Sequence, residues 1–100
     1  MSDPVLGETD LGAAMSGPSA PDWKLVDGAL VKTVTCAGFV GSLAFVNEVG
    51  ALAQAADHHP DIDIRYNQVK LSLVTHDSGG ITQKDIDLAT RIDGVSAGVK

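Results

Sequence analysis

Residues 61–74 read DIDIRYNQVKLSLV, and their alternation constrains the fold more than any other stretch. Ile62, Ile64 and Tyr66 alternate with Asp61, Asp63 and Arg65; Val69, Leu71 and Leu73 alternate with Lys70, Ser72 and Val74. In a strand, side chains two apart share a face, so each run presents one apolar side. With Asn67-Gln68 as the turn, Tyr66 stands opposite Val69, Ile64 opposite Leu71 and Ile62 opposite Leu73. Asn-Gln is a poorer turn than Asn-Gly, but any loop of the same parity keeps the two faces intact.

Three further elements flank this hairpin. In WKLVDGALVKTVT, Asp27-Gly28 suits a two-residue turn with positive φ at both positions. That register sets Trp23 opposite Lys32 and Leu25 opposite Leu30, with Val34 on the same face and Lys24, Val31 and Thr33 on the other. Between the hairpins, AGFVGSLAFVNEVGALAQAAD has helical spacing. Phe39, Leu43, Val46, Val49, Ala53 and Ala56 form its expected buried stripe, widened by Phe45 and Leu52. Gly41 and Gly50 each cost about 1 kcal/mol there against alanine, so they mark either close packing or a weak helix. In GGITQKDIDLATRID, Thr82 with Asp85 resembles a capping box and Ile81 with Ile86 a hydrophobic staple. Leu88, Ala89, Ile92 and Val95 supply the buried side of this last helix, and Gly94 is expected to end it. Residues 1–22, rich in Gly, Pro, Ser and Asp, read as a weakly held arm with at most a short helix. The domain proper then spans residues 23–97.

Composition narrows the class. At 100 residues the chain is the size of one domain, and 44% hydrophobic with 20% charged residues is ordinary for a globular protein. No run approaches the roughly 20 apolar residues of a membrane span, and MSDPVLGETD lacks the features of a secretory signal. A net charge of −6 argues against broad nucleic-acid backbone binding. Cys36, the sole cysteine, excludes an intrachain disulfide, sits among apolar neighbours and points to a reducing, cytoplasmic setting.

The three histidines then stand out: His58 and His59 in ADHHPDI, and His76 in VTHDSGG. Extending the second hairpin outward pairs residue 61 with 74 and His59 with His76. Pro60 forces the preceding residue into extended geometry, so the histidine pair lies where the helix hands over to the strand. The imidazoles are thereby expected on one rim of the sheet, where groups of this kind can donate and accept protons near neutral pH. No activated nucleophile accompanies them. Blander accounts stand beside this one. A helix dipole favours histidine at a C-terminus, His76 suits a strand end, Asp85 suits a cap and Tyr66 suits the core. A zinc site from the histidines with Asp57 or Asp77 is weaker, since adjacent histidines converge poorly on one ion.

HHP, Tyr66 after five residues, Thr75-His76, GGIT and Asp85, with WKLVDG and FVNEV upstream, together resemble the pterin-4a-carbinolamine dehydratases over roughly residues 23–93. The resemblance implies an α+β fold, a two-layer structure with a four-stranded antiparallel sheet and helices on one face, in the order α-β-β-α-β-β-α. It implies dehydration of 4a-hydroxytetrahydropterin to quinonoid dihydropterin with no cofactor and no metal. Of the candidate catalytic residues, His58 and His76 would be the acid–base pair, while His59 would bind and orient the pterin. Asp57, Pro60 and Thr75 would border the pocket, and Asp85 completes the motif. Members are commonly homodimers or homotetramers, and one branch also serves as a transcriptional coactivator. One departure is Gln54, where the family pattern has an ionisable residue, usually glutamate. It keeps the hydrogen-bonding shape without the charge, one turn before His58. An active dehydratase and a non-enzymatic interaction protein on the same fold are both compatible with that change.

Overall fold

The computed structural model describes residue 5 and residues 23–99, with side chains through residue 95. The expected arm and its short helix fall almost wholly outside the described residues. Strands β1 (Lys24–Val26) and β2 (Ala29–Thr35) lead into helix α1 (Gly38–Ala56); β3 (Asp61–Arg65) and β4 (Gln68–Leu73) lead into helix α2 (Gln83–Val99). The four strands form one antiparallel sheet in the order β1-β2-β4-β3.

The first hairpin has the register its sequence predicts. Leu25 pairs with Leu30, and Asp27 and Gly28 both take positive φ, at 50° and 81°. Trp23, Leu30, Lys32 and Val34 are buried on its helix-facing side. The indole Nε1–H and the Lys32 ammonium both donate to Asp93 Oδ1, at 2.9 and 2.6 Å, and so tie this hairpin to α2.

The second hairpin keeps the predicted faces but not the predicted register. Its turn is Tyr66-Asn67 rather than Asn67-Gln68, so Ile62 pairs with Leu71, Ile64 with Val69 and Arg65 with Gln68. Slipping the turn by one residue slides the strands by two, which preserves parity. The neighbouring elements account for the slip. Gln68 is needed in β4, where it pairs with Thr35 of β2; Cys36 N–H donates to Asn67 O, and Ser42 Oγ–H donates to Tyr66 O at 2.6 Å. Tyr66 accepts a positive φ of 55° in consequence, and it lies 68% exposed rather than in the core.

Helix α1 also differs from its expected orientation. Ser42, Phe45, Val49 and Ala53 are its buried residues, while Phe39, Val40 and Leu43 are exposed. The Ser42–Tyr66 hydrogen bond helps explain the rotation, because it draws a small polar residue inward and turns Phe39 and Leu43 out. Gly41 sits tight against Ala37 and Cys36, where an added Cβ would come within 3.3 Å of the Ala37 Cβ; Gly50 faces open space. By length and composition alone α1 could cross a membrane, contrary to the expectation that no run comes close. Its buried stripe instead belongs to the hydrophobic core, together with Leu30, Val34, Val69, Leu71 and Leu73 of the sheet. Helix α2 buries Ile86, Leu88, Ala89 and Ile92 as its spacing requires. It runs past Gly94 to Val99, because Gly94 lies among helix-compatible neighbours and does not take the left-handed turn of a C-cap.

Candidate active site

Helix α1 ends on Asp57, which takes left-handed geometry at φ 51° and ψ 43°. Asp57 N–H donates to Gln54 O and His58 N–H to Ala53 O, the paired bonds of a Schellman ending. His58 is thus fixed by the backbone as the first residue beyond the turn. In the observed register residue 59 extends toward 74 rather than 76, so strand pairing does not bring His59 and His76 together. They come to border one cavity by another route. After β4, Thr75 N–H bonds Gly80 O, and Ser78 and Gly79 donate back to Thr75 O, folding residues 75–80 into a compact turn that carries His76 back toward the helix exit.

The result is a cavity of about 270 Å³ lined by Asp57, His58, His59, Val74, Thr75, His76, Asp77 and Lys84. All three histidines border it. A larger cavity of about 370 Å³ lies on the uncovered face of the sheet, among residues that include Val31, Asp61, Asp63 and Lys70. Its lining contains no imidazole, so chemistry rather than volume identifies the candidate site.

Beneath the cavity, Asp85 is fully buried and organises its floor. Its Oδ1 accepts from His58 Nε2 at 2.5 Å; its Oδ2 accepts from Thr75 Oγ1 and from the Thr82 backbone N–H, each at 2.8 Å. Thr75 commits its one hydroxyl proton to the carboxylate, so the 2.8 Å contact between the two threonine hydroxyls has Thr82 as donor. Thr82 Oγ1 in turn accepts the Lys84 N–H at 3.3 Å. The capping box is therefore real, and the same carboxylate that closes it holds His58. Asp85 Oδ1 accepts a hydrogen bond from His58 Nε2–H, which leaves Nδ1 as the ring nitrogen not committed to this bond.

Gln54 and His59 form a second pair, with His59 Nε2 3.0 Å from Gln54 Oε1. Of the residues singled out in the sequence, His58, His59, His76, Asp57 and Thr75 line the cavity; Asp85 underlies it, Gln54 reaches it through His59, and Pro60 is outside the lining. Lys84 and Val74 line it without having been singled out. Lys84 was legible in principle, since it sits between the Thr82 cap and Asp85. Among the described residues, no group of three or more His, Cys, Asp or Glu side chains is arranged to hold a metal ion.

Comparison with known proteins gives a consistent pattern. The family model described as pterin 4 alpha carbinolamine dehydratase matches residues 4–95, extending into the N-terminal segment that carried none of the motifs. A Chloroflexus aurantiacus protein assigned to pterin-4-alpha-carbinolamine dehydratase is 48% identical over 92 residues, covering 92% of this chain and 97% of its own. One from Acidobacterium capsulatum, with the same assignment, is 52% identical over 77 residues, covering 77% of this chain and 84% of its own. Among solved structures, a transcriptional coactivator/pterin dehydratase from Brucella melitensis superposes with a TM-score of 0.85 at 27% identity, over 92% of this chain and 98% of that one. A pterin dehydratase-like protein identified as a RuBisCO assembly factor of the alpha-carboxysome shares the fold, with a TM-score of 0.61 at 20% identity over 74% of this chain and 86% of that one.

Proposed function

Because the chain belongs to the pterin-4a-carbinolamine dehydratase family, we propose that it dehydrates 4a-hydroxytetrahydropterin to quinonoid dihydropterin by histidine acid–base catalysis. The observation that carries this reading is the cavity bordered by His58, His59 and His76, with His58 seated on buried Asp85. The working unit of this proposal is the domain of residues 23–97.

In the reaction the C4a–O bond breaks and its oxygen leaves as water, while N5 loses its proton and a double bond forms between N5 and C4a. One group must protonate the departing hydroxyl and another must take the N5 proton. His58 and His76, which both line the cavity, are the pair proposed for these transfers, with His58 working through Nδ1. His59 binds and orients the ring, while Asp57 and Thr75 border it and Pro60 stiffens the approach. Asp85 is a positioning residue. It holds the His58 ring plane and keeps Nε2 as the bonded nitrogen, much as a buried carboxylate orients a catalytic histidine elsewhere. General acid–base assistance of this kind contributes about 10²–10⁴-fold. Stopped-flow dehydration of 4a-hydroxytetrahydropterin tests the proposal: the wild-type chain is expected to accelerate water loss, and a rate equal to that in buffer would remove it.

A second reading, a non-enzymatic interaction protein, draws on the exposed apolar side of α1. Val40 is 78% exposed and Phe39 50%, with Leu43 beside them and Tyr66 exposed nearby. Such a patch favours a protein contact. We assign it to a second copy of this chain, giving a homodimer or homotetramer; this is compatible with catalysis, since none of these residues lines the histidine cavity. The buried free thiol of Cys36 suits a reducing, cytoplasmic location.

A further inference from the structure

The two adjacent histidines have unlike partners. His58 Nε2 meets a buried carboxylate, whereas His59 Nε2 meets the neutral carboxamide of Gln54 at 3.0 Å. Gln54 Oε1 has lone pairs and no proton, so in this pair the imidazole must donate. When the His59 ring is neutral, its proton is therefore on Nε2 and its lone pair is on Nδ1. Gln54 itself does not line the cavity, while His59 does. From this geometry we infer that Gln54 is a positioning residue that holds His59 as a hydrogen-bond acceptor, so that the ligand must present an N–H or O–H donor to His59 Nδ1. The inference rests on the pterin reading and deepens it: a pterin carries such donors on its amino-pyrimidinone edge.

A carboxylate at position 54 would act differently. It would still accept from Nε2, but its charge would favour the imidazolium, in which both ring nitrogens are donors and the acceptor is lost. Other charged and titratable groups around the cavity act on the same ring: Asp57 beside the helix exit, His58 next in sequence, His76 and Asp77 from the turn after β4, and Lys84 from α2. They remain the same in every variant below, so a difference between variants reports on position 54.

The test combines nitrogen-15 spectra of the histidine rings, with His59 assigned through His59→Gln, and fluorescence titration with 7,8-dihydropterin, which lacks a 4a-hydroxyl and so cannot undergo the dehydration. Wild-type His59 is expected to carry its neutral-form proton on Nε2. Gln54→Ala should weaken dihydropterin binding by at least about threefold, the scale of one lost hydrogen bond. Gln54→Glu should restore binding at pH 8.5, yet lose it on acidification at a higher pH than wild type does. Purely structural loss would not be rescued by glutamate in a pH-dependent way. A neutral His59 protonated on Nδ1, or a Gln54→Ala variant that binds at pH 8.5 as wild type does, would overturn the inference. Neither result depends on turnover. A chain that binds dihydropterin in this Gln54-dependent way but fails to accelerate dehydration would instead sink the proposed activity.

Discussion

At the scale of single residues, Asp85 carries the most consequence. It satisfies three donors at once, His58 Nε2, Thr75 Oγ1 and Thr82 N, and has no exposure to water that could replace it. Removing it leaves buried donors without partners, the most damaging kind of polar change. Asp85→Ala is therefore expected to cost about 2–4 kcal/mol in urea unfolding, seen as a lower midpoint with an unchanged slope. A loss below about 0.5 kcal/mol would show that the network is not what the site stands on. The sequence displayed Thr82 and Asp85 as a capping box and displayed the three histidines as a set. It did not show that one carboxylate serves both the cap and His58, because local spacing carries no record of which loop folds over a helix start.

At the scale of elements, the exit from α1 places His58. Asp57 is left-handed there, a conformation that costs most side chains about 1–2 kcal/mol and glycine almost nothing. Asp57→Gly should hold or raise the thermal midpoint, whereas Asp57→Val should lower stability by about 1–2 kcal/mol; a valine variant as stable as the parent would contradict the Schellman account of this turn. The elements themselves were largely legible, because alternation and helical spacing are local signals. The register of the second hairpin was not, since it is set by Cys36 and Ser42 reaching across to the backbone of residues 66 and 67. The same long-range contact turned α1, so that Phe39 and Leu43, which fit a buried stripe by spacing, face outward. Parity survived the slip, and so the two faces of the sheet came out as the alternation required.

At the scale of the whole molecule, one layer of helices covers one face of the sheet and leaves an apolar strip of α1 uncovered. Sedimentation velocity is expected to find the chain as a dimer or tetramer, and Val40→Glu with Leu43→Glu to shift it toward monomer without loss of secondary structure; a monomeric wild type at micromolar concentration would contradict the assignment of this strip to a second copy. The histidine cavity lies elsewhere, at the rim where α1 ends and α2 begins. Its chemistry is open to a direct kinetic measurement: single-turnover dehydration of 4a-hydroxytetrahydropterin by His58→Ala and by His76→Ala, each confirmed folded. The account predicts that each variant is slower than wild type by at least ~10-fold. Wild-type rates in both would contradict it, since the cavity would then have no need of the imidazoles that line it.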